Sequence, residues 1–555
     1  MVRMKGSRAL MEQLRAEGVK YIFGNPGTSE SAIMDELERY PDLKYVLVTQ
    51  EGVAMGAADA YARATQRPAF VNLHIETGLA NGISLLNNAN EGGTPLVLTS
   101  GNKDMRKLVE GRTELADMVK LFTKWSVELS HPDQVPGAIR RAFNEAKTPP
   151  TGPVYVGFSA NSMDGEADVE IVPSTTGYHR VEPDRRAVEE AVKLLAKAKN
   201  PIMLIGDRVA QSNASKEAVR LAEALGAKVY AASVSEFNFP TGHQQFLGRM
   251  FYGFPEPTKV LSAADGLLAV GNVFTSYWFF DTMGGRTLPA STKIVHLDVP
   301  GRNVGKSEPT DVGMTADPKM AMAALAEALE AEMSGSAKEA AKGRIVAIAK
   351  EKAAQQAAWE KRLKERWDMK PMSTERMMTE VAAALPPGTV VVDDSVTTRT
   401  SVMGAIEFST PGGWFGERGG AIGWGMGAGL GAKLANPDKP VVAIVGDGSA
   451  MMTVQGFWTA ANENIPTVYV ICNNSTYRVL KLNMNVYKNM VIKDKSPSKY
   501  IGMDFPTRLD IAGMAQAMGV YGKRIEDPRE IGPELKKALA SKKPAVLDVV
   551  IDGSL

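Results

Sequence analysis

Residues 441–474 read VVAIVGDGSAMMTVQGFWTAANENIPTVYVICNN. The opening run, 441–445, is uninterrupted apolar sequence, the pattern of a strand buried on both faces. Gly446-Asp447-Gly448 follows it at once. Residues 454–462 read as a crossover helix, and 467–471 as a second buried strand that leads into Asn473-Asn474. Strand, helix and strand form a βαβ unit, and open α/β sheets bind ligands at the carboxyl ends of such neighbouring strands. Asp and Asn at that edge both offer oxygen ligands, which suit Mg²⁺, a cation that often bridges to phosphates. Gly446 and Gly448 let the backbone approach a diphosphate, and the N–H groups opening the next helix face its charge. Taken singly, GDG and NN are also ordinary turn signals. Their joint placement at two strand ends carries the reading.

The same alternation extends in both directions. Further strands are expected at 390–393 and 545–550, in a series that starts near Ser373. Upstream, 337–370 is rich in Ala, Lys, Glu and Gln without a strand pattern and reads as a helical connection. Before it, helix 185–198, strand 201–205, helix 216–225 and strands 228–231, 266–270 and 293–297 form a second α/β series. Residues 164–182 are polar, contain Pro173 and suit a linker. At the start, helices 7–17, 31–39 and 53–64 alternate with strands 19–23, 45–48, 69–73 and 96–100, with a Gly/Asn-rich turn after 73. The expected layout is α/β: three doubly wound domains with mostly parallel sheets, at 1–165, 183–335 and 371–555, with a helical linker at 336–370.

Composition narrows the classes. At about 150 residues per domain, a chain of 555 residues can bury several full cores. Lys+Arg at 64 against Asp+Glu at 63 leaves +1, so no global field recruits nucleic acid or an anionic membrane. Cys472 is the lone cysteine, and the five histidines show no H-x-x-x-H spacing, which argues against disulfides and a zinc enzyme. The N-terminal run has charges throughout and no apolar h-region, and no apolar stretch approaches a membrane span, so a cytoplasmic protein is expected.

The run 446–480 resembles the cofactor domain of benzoylformate decarboxylase and related thiamine diphosphate enzymes of the 2-oxo-acid decarboxylase and acetolactate synthase superfamily. VKYIFGNPGTSE (19–30), LVTQEGVAMGAADAYARAT (47–65) and RPAFVNLHIETGLANG (67–82) resemble its pyrimidine-side domain in order and spacing, and FPTGHQQFLG (239–248) resembles its central domain. The resemblance implies that Asp447, the Asn474 side chain and the Thr476 main-chain oxygen hold Mg²⁺. Gly448, Ser449, Ala450 and Tyr477 would line the diphosphate, with Val396 and Thr397 on a second loop. Ile422 would wedge between the two cofactor rings, and Gly420 would offer its carbonyl to the exocyclic amine. Glu51 would share a proton with the pyrimidine ring, so that the cofactor generates its own ylid. His74 would transfer protons and orient substrate, and Thr28 stands where the family has a serine that binds the substrate carboxylate.

These roles imply non-oxidative decarboxylation of a 2-oxo acid, benzoylformate-like, to an aldehyde through ylid and enamine intermediates. Carboligation or lyase chemistry of the acetolactate synthase, benzaldehyde lyase or 2-hydroxyacyl-CoA lyase type shares those intermediates, and an inactive cofactor-binding relative is a third reading. The resemblance also implies at least a homodimer, commonly a homotetramer, with the cofactor at a subunit interface. No G-x-G-x-x-G follows a central-domain strand, so a flavin is not supported.

Several positions depart from the pattern. The family's second catalytic histidine has no counterpart in 271–280, where Tyr277 or Trp278 occupies the neighbourhood and 277–280 form an aromatic cluster suited to an apolar group. Arg478 replaces a glycine, Asn483 falls where an aromatic wall is expected, and Glu417, Arg418 and Lys103 add charge near the mouth. Arg478, Glu417 and Arg418 could form an ion-pair network or face a polar substrate, since buried charge needs a partner. Many of the 52 glycines, among them Gly24, Gly27, Gly78, Gly82, the run 412–431, Gly446 and Gly448, fall at strand ends where bare backbone would wrap an anionic ligand.

Overall fold

A computed structural model describes residues 1–106, 112–177, 179–232, 235–250, 259–274 and 288–555. Three six-stranded sheets, every neighbouring pair parallel, succeed one another along the chain. Each follows from short runs of Val, Ile and Leu too apolar to face water, such as Val441–Gly446 and Val468–Asn473. The first sheet runs Lys44–Leu47, Tyr21–Gly24, Ala69–Leu73, Leu96–Asn102, Val154–Ser159, Ser126–Leu129. The third runs Trp414–Gly416, Val390–Asp394, Val441–Gly446, Val468–Asn473, Ala545–Val550, Tyr521–Ile525. Numbered within each domain, both have the order 2-1-3-4-6-5, whereas the middle sheet has 3-2-1-4-5-6. In each, the direction of winding reverses beside the domain's first strand, and a crevice opens at the carboxyl ends there.

The first and third domains share one core. Helix Glu51–Thr65 lies against helix Trp424–Ala435, and Val53, Ala57, Met426, Ala428 and Leu430 belong to one buried cluster. A second cluster joins the middle domain to the third, through residues such as Phe239, Phe408 and Trp414. Among the described residues no helix is long and apolar enough to cross a membrane.

Two expectations are corrected. The polar run 164–182 contains strand Glu166–Val169, which pairs antiparallel with Val2–Lys5 and fastens the chain's start. The Gly/Asn-rich run after Leu73 is helix Ile75–Gly92, not a turn: Leu79, Leu85, Leu86 and Ala89 are buried on one side, and that packing overrides poor local propensity. Crossover 447–462 divides into helices Asp447–Met452 and Gly456–Asn462, so Asp447 opens a helix directly at its strand end.

Candidate active site

In the third domain the switch point lies between Val390–Asp394 and Val441–Gly446. Val396 and Thr397 follow the first strand, and Asp447, Gly448 and Ser449 follow the second. They line one cavity with Ile422, Asn474, Thr476 and Tyr477. Val396 holds φ +50°, a conformation that turns the chain sharply past the strand end. Asp447 is buried; Gly448 N–H donates to its Oδ1 at 2.8 Å and Ser475 N–H to its Oδ2 at 2.6 Å. Burial raises its carboxyl to about 6, against the pull of those backbone donors. Thr476 N–H donates to Asn474 Oδ1 at 3.1 Å, and the Thr476 hydroxyl to Met503 O at 2.7 Å. The Tyr477 ring packs on Gly448, where a Cβ would come within 2.5 Å of it, and lies edge-on to Phe505. Ala450 is fully buried and does not line the cavity, and Gly420 stands exposed, its N–H donating to Glu417 Oε1 at 2.8 Å.

The first domain repeats the arrangement at its own switch point. Tyr21–Gly24 leads into Asn25-Pro26-Gly27-Thr28, and the neighbouring Ala69–Leu73 leads into His74. The His74 ring lies over Gly27, where any Cβ would sit 2.3 Å from Nδ1. Nδ1 faces Glu30 Oε2 at 2.8 Å and Ser29 Oγ at 3.0 Å. Glu30 has no exposure; its carboxylate also accepts from Gly27 N–H at 2.8 Å, Gly101 N–H at 2.7 Å and Ser29 Oγ at 2.8 Å. A carboxylate in that place directs the ring proton to Nδ1 and leaves Nε2 as the free nitrogen. Thr28 is exposed on the short turn Thr28–Glu30.

Glu51 opens its helix behind Gln50, whose side chain caps Val53 N–H at 3.2 Å. It is nonetheless buried, and each oxygen accepts one amide donor at 3.0 Å, Oε1 from Asn25 Nδ2 and Oε2 from Asn81 Nδ2. Glu51, His74 and Thr28 are absent from the lining of the third-domain cavity. The sequence-derived residues therefore fall into two groups, one at each switch point.

Residues 4–121, 188–325 and 394–549 match the N-terminal TPP binding domain, the central domain and the C-terminal TPP binding domain of thiamine pyrophosphate enzymes. The chain is 30% identical to a benzoylformate decarboxylase of Pseudomonas aeruginosa over 549 residues, 98% of each protein. The chain belongs to the thiamine pyrophosphate enzyme family. It is also 28% identical to a probable acetolactate synthase large subunit of Methanocaldococcus jannaschii, across 99% of this chain and 92% of that one. A thiamine diphosphate-dependent 4-hydroxybenzoylformate decarboxylase of Rhodococcus jostii superimposes with a TM-score of 0.83 at 25% identity, covering 99% of both chains.

The donor set fits this family's cofactor. Helix Asp447–Met452 presents backbone N–H groups and Ser449 to the cavity, as an anionic diphosphate needs. Among the described residues the buried Asp447 carboxylate has only backbone donors as hydrogen-bond partners, and with the neutral oxygens of Asn474 and Thr476 it suits a hard divalent cation.

Three residues of the family member escaped the sequence reading. Glu30 lies in the quoted NPGTSE, where a Gly-x-x-Glu capping pattern was its available signal. Asn81 sits on a stretch read as turn. Asp394, the second Asp of VVVDDS, is fully buried and accepts from Gly423 N–H at 3.1 Å, Gly425 N–H at 2.9 Å and Ser449 Oγ at 2.9 Å. The added charges do not form one network. Arg478 lines the cavity and donates to Ser554 O at 2.7 Å, whereas Arg418 points to the domain junction. Lys103 N–H donates to Asn102 Oδ1, and Asn483 lies on helix Arg478–Val486. Residues 275–280, with Tyr277, Trp278 and the aromatic cluster, lie outside the described residues.

Proposed function

We propose that this thiamine pyrophosphate enzyme decarboxylates a benzoylformate-like 2-oxo acid without oxidation, releasing CO₂ and an aldehyde, with Mg²⁺ under the diphosphate. The observation that carries the reading is the His74–Glu30 pair beside the buried Glu51: a proton-transfer group with its tautomer set, next to a carboxyl group held by two amides. Bound thiamine diphosphate supplies an electron sink for the pair left when the carboxylate departs. Glu51 would share a proton with the bound cofactor's pyrimidine, and Asn25 and Asn81 fix which way its oxygens face. Thr28 donates its hydroxyl to the substrate carboxylate from an exposed turn. His74 Nε2 delivers a proton at the reacting carbon, while Glu30 keeps Nδ1 occupied. Asp447, Asn474 and Thr476 would hold the cation. Because the two groups of residues sit at separate switch points, the reading includes a homodimer, or a homotetramer of such dimers, in which each site takes Glu51, His74 and Thr28 from one copy and the cavity from another.

The test is product analysis over aryl, alkyl and dicarboxylic 2-oxo acids, with and without an acceptor aldehyde. Stoichiometric CO₂ with free aldehyde from an aryl substrate is the expected result. Carbon–carbon coupled product in place of free aldehyde would replace the decarboxylase reading with the carboligase one.

A further inference from the structure

Arg418 begins the turn that carries Gly420 and Ile422, yet it does not line the cofactor cavity. Its guanidinium lies 3.2 Å from Glu236 Oε1, 3.6 Å from Asp207 Oδ2 and 3.7 Å from Asp59 Oδ1, and it donates to Thr94 Oγ1. A second guanidinium, Arg63, lies 3.0 Å from Glu236 Oε1 and 3.2 Å from Asp59 Oδ2, and donates to Gly416 O at 3.1 Å. Asp59 also accepts from Trp424 Nε1 at 2.8 Å. The cluster is buried: the side chains of Asp59, Arg63, Glu236 and Arg418 are 1, 2, 6 and 7% exposed.

These charges come from three domains. Asp59 and Arg63 lie on helix Glu51–Thr65, Asp207 and Glu236 in the middle domain, and Arg418 just past strand Trp414–Gly416. Asp207 follows Pro201–Ile205, at the point where the middle sheet reverses its order and where a ligand would ordinarily sit. Here its carboxylate accepts from Ser235 N–H at 3.0 Å, Ser235 Oγ at 2.6 Å and Asn238 Nδ2 at 2.9 Å, and faces Arg418. The middle domain thus uses its switch point to grip a turn of the third domain. Farther along that turn, Asn88 of the first domain donates to Ala421 O at 2.8 Å and accepts from Ala421 N–H at 3.2 Å.

We propose that Arg418 is a positioning residue of the cofactor site: it closes a clamp of three domains that holds the turn bearing Gly420 and Ile422. The inference rests on thiamine diphosphate occupying the adjoining cavity. Two guanidiniums face three carboxylates, so the cluster already carries one excess negative charge. Burial pushes the Glu236 carboxyl above its ordinary value even with Arg63 and Arg418 beside it. Beyond Asp207 lie Arg249, Arg399, Asp393 and Glu417, where Arg399 is paired with Asp393 at 2.9 Å. Without Arg418, Asp59 and Glu236 are left with Arg63 as their shared guanidinium, and the Glu236 carboxyl, already raised by burial, rises further. Raised carboxyls are tolerated at low pH and destabilise as pH increases, so the defect belongs to alkaline solution.

The experiment is calorimetric titration of thiamine diphosphate with Mg²⁺ into full-length wild type, Arg418→Met, Glu236→Gln and the double variant, at pH 6 and pH 8, with circular dichroism as the check on folding. Relative to wild type at the same pH, Arg418→Met should weaken binding about tenfold or more at pH 8 and clearly less at pH 6. The double variant, with two carboxylates and one guanidinium, should regain much of the loss at pH 8. Arg418→Met binding within twofold of wild type at pH 8, or equal losses at both pH values, would overturn the clamp. If Arg418→Met fails to fold, the double variant decides: a folded protein with near-wild-type affinity supports the clamp, and a folded protein that stays weak at pH 8 overturns it. A double variant that also fails to fold overturns the charge account. Wild type that binds no thiamine diphosphate removes the cofactor reading itself, and the clamp with it.

Discussion

At Asp394 two demands meet in one side chain. Its carboxyl sits fully buried and is pushed up to about 7, first by burial and next by Glu417, while backbone N–H groups and Ser449 pull it down. In the unfolded chain the same group titrates near 3.8, so between those values the folded protein binds more protons than the unfolded one. Stability of the cofactor-free protein should therefore fall as pH rises through that window, by about 4 kcal/mol at most from this one group. Asp394→Asn keeps the shape, with Oδ1 accepting both backbone N–H groups and Nδ2 donating to Ser449. It should flatten the slope: thermal midpoints above wild type at pH 8 and close to it at pH 5. A wild-type midpoint that climbs from pH 5 to pH 8 in step with the variant's would refute the assignment. Glu51 is buried as well. Glu51→Gln leaves one acceptor oxygen for two amide donors and removes the exchangeable carboxyl proton, so CO₂ release should drop by about 100-fold or more with circular dichroism unchanged. Unchanged turnover would rule out the proton-sharing role.

Helix Glu51–Thr65 and helix Trp424–Ala435 show what many of the glycines are for. A Cβ on Gly431 would stand 1.9 Å from Ala57 O, and one on Gly427 2.3 Å from Val53 O, so backbone meets backbone and nothing flexible can yield. Gly431→Val should lower the thermal midpoint by several degrees and weaken cofactor binding, since one helix begins at Glu51 and the other two residues after Ile422. Gly343, on the exposed helix Gly335–Glu365, meets nothing within 4 Å, and Gly343→Ala should be neutral or stabilising by up to about 1 kcal/mol. Equal midpoints for Gly431→Val and Gly343→Ala would show that the close approach carries no weight. The sequence placed these glycines around a cofactor, because a sequence shows that backbone must be bare without showing what approaches it. Strand ends were legible for a different reason. Buried parallel strands are written as local apolar runs, and GDG or NN at their ends needs no distant partner to be recognised. Glu30 and His74, or Asp59 and Arg418, meet only through the fold, and no local pattern announces that they pair.

Across the whole molecule, the first and third domains repeat one strand order, and candidate site residues gather at the reversal point of each. In the proposed reading the halves carry different chemistry: Glu51, His74 and Thr28 would act on protons and substrate, while Asp447, Ser449 and Asn474, at the other cavity, would hold an anion and its cation. A symmetric dimer in which first domain meets third would complete two sites at once, with equivalent surfaces exchanged between the copies. Mixed variants test this directly. Glu51→Gln and Asp447→Ala homo-oligomers should each be nearly inactive, one for want of the proton carrier and the other for want of the cation. In a mixed dimer with shared sites, one site receives both defects and the other receives neither. Random assembly from equal amounts makes half the dimers mixed, so co-expressed variants should recover about a quarter of wild-type activity. Sites built within one chain would leave every site with a single defect, and the mixture would stay as inactive as its parents.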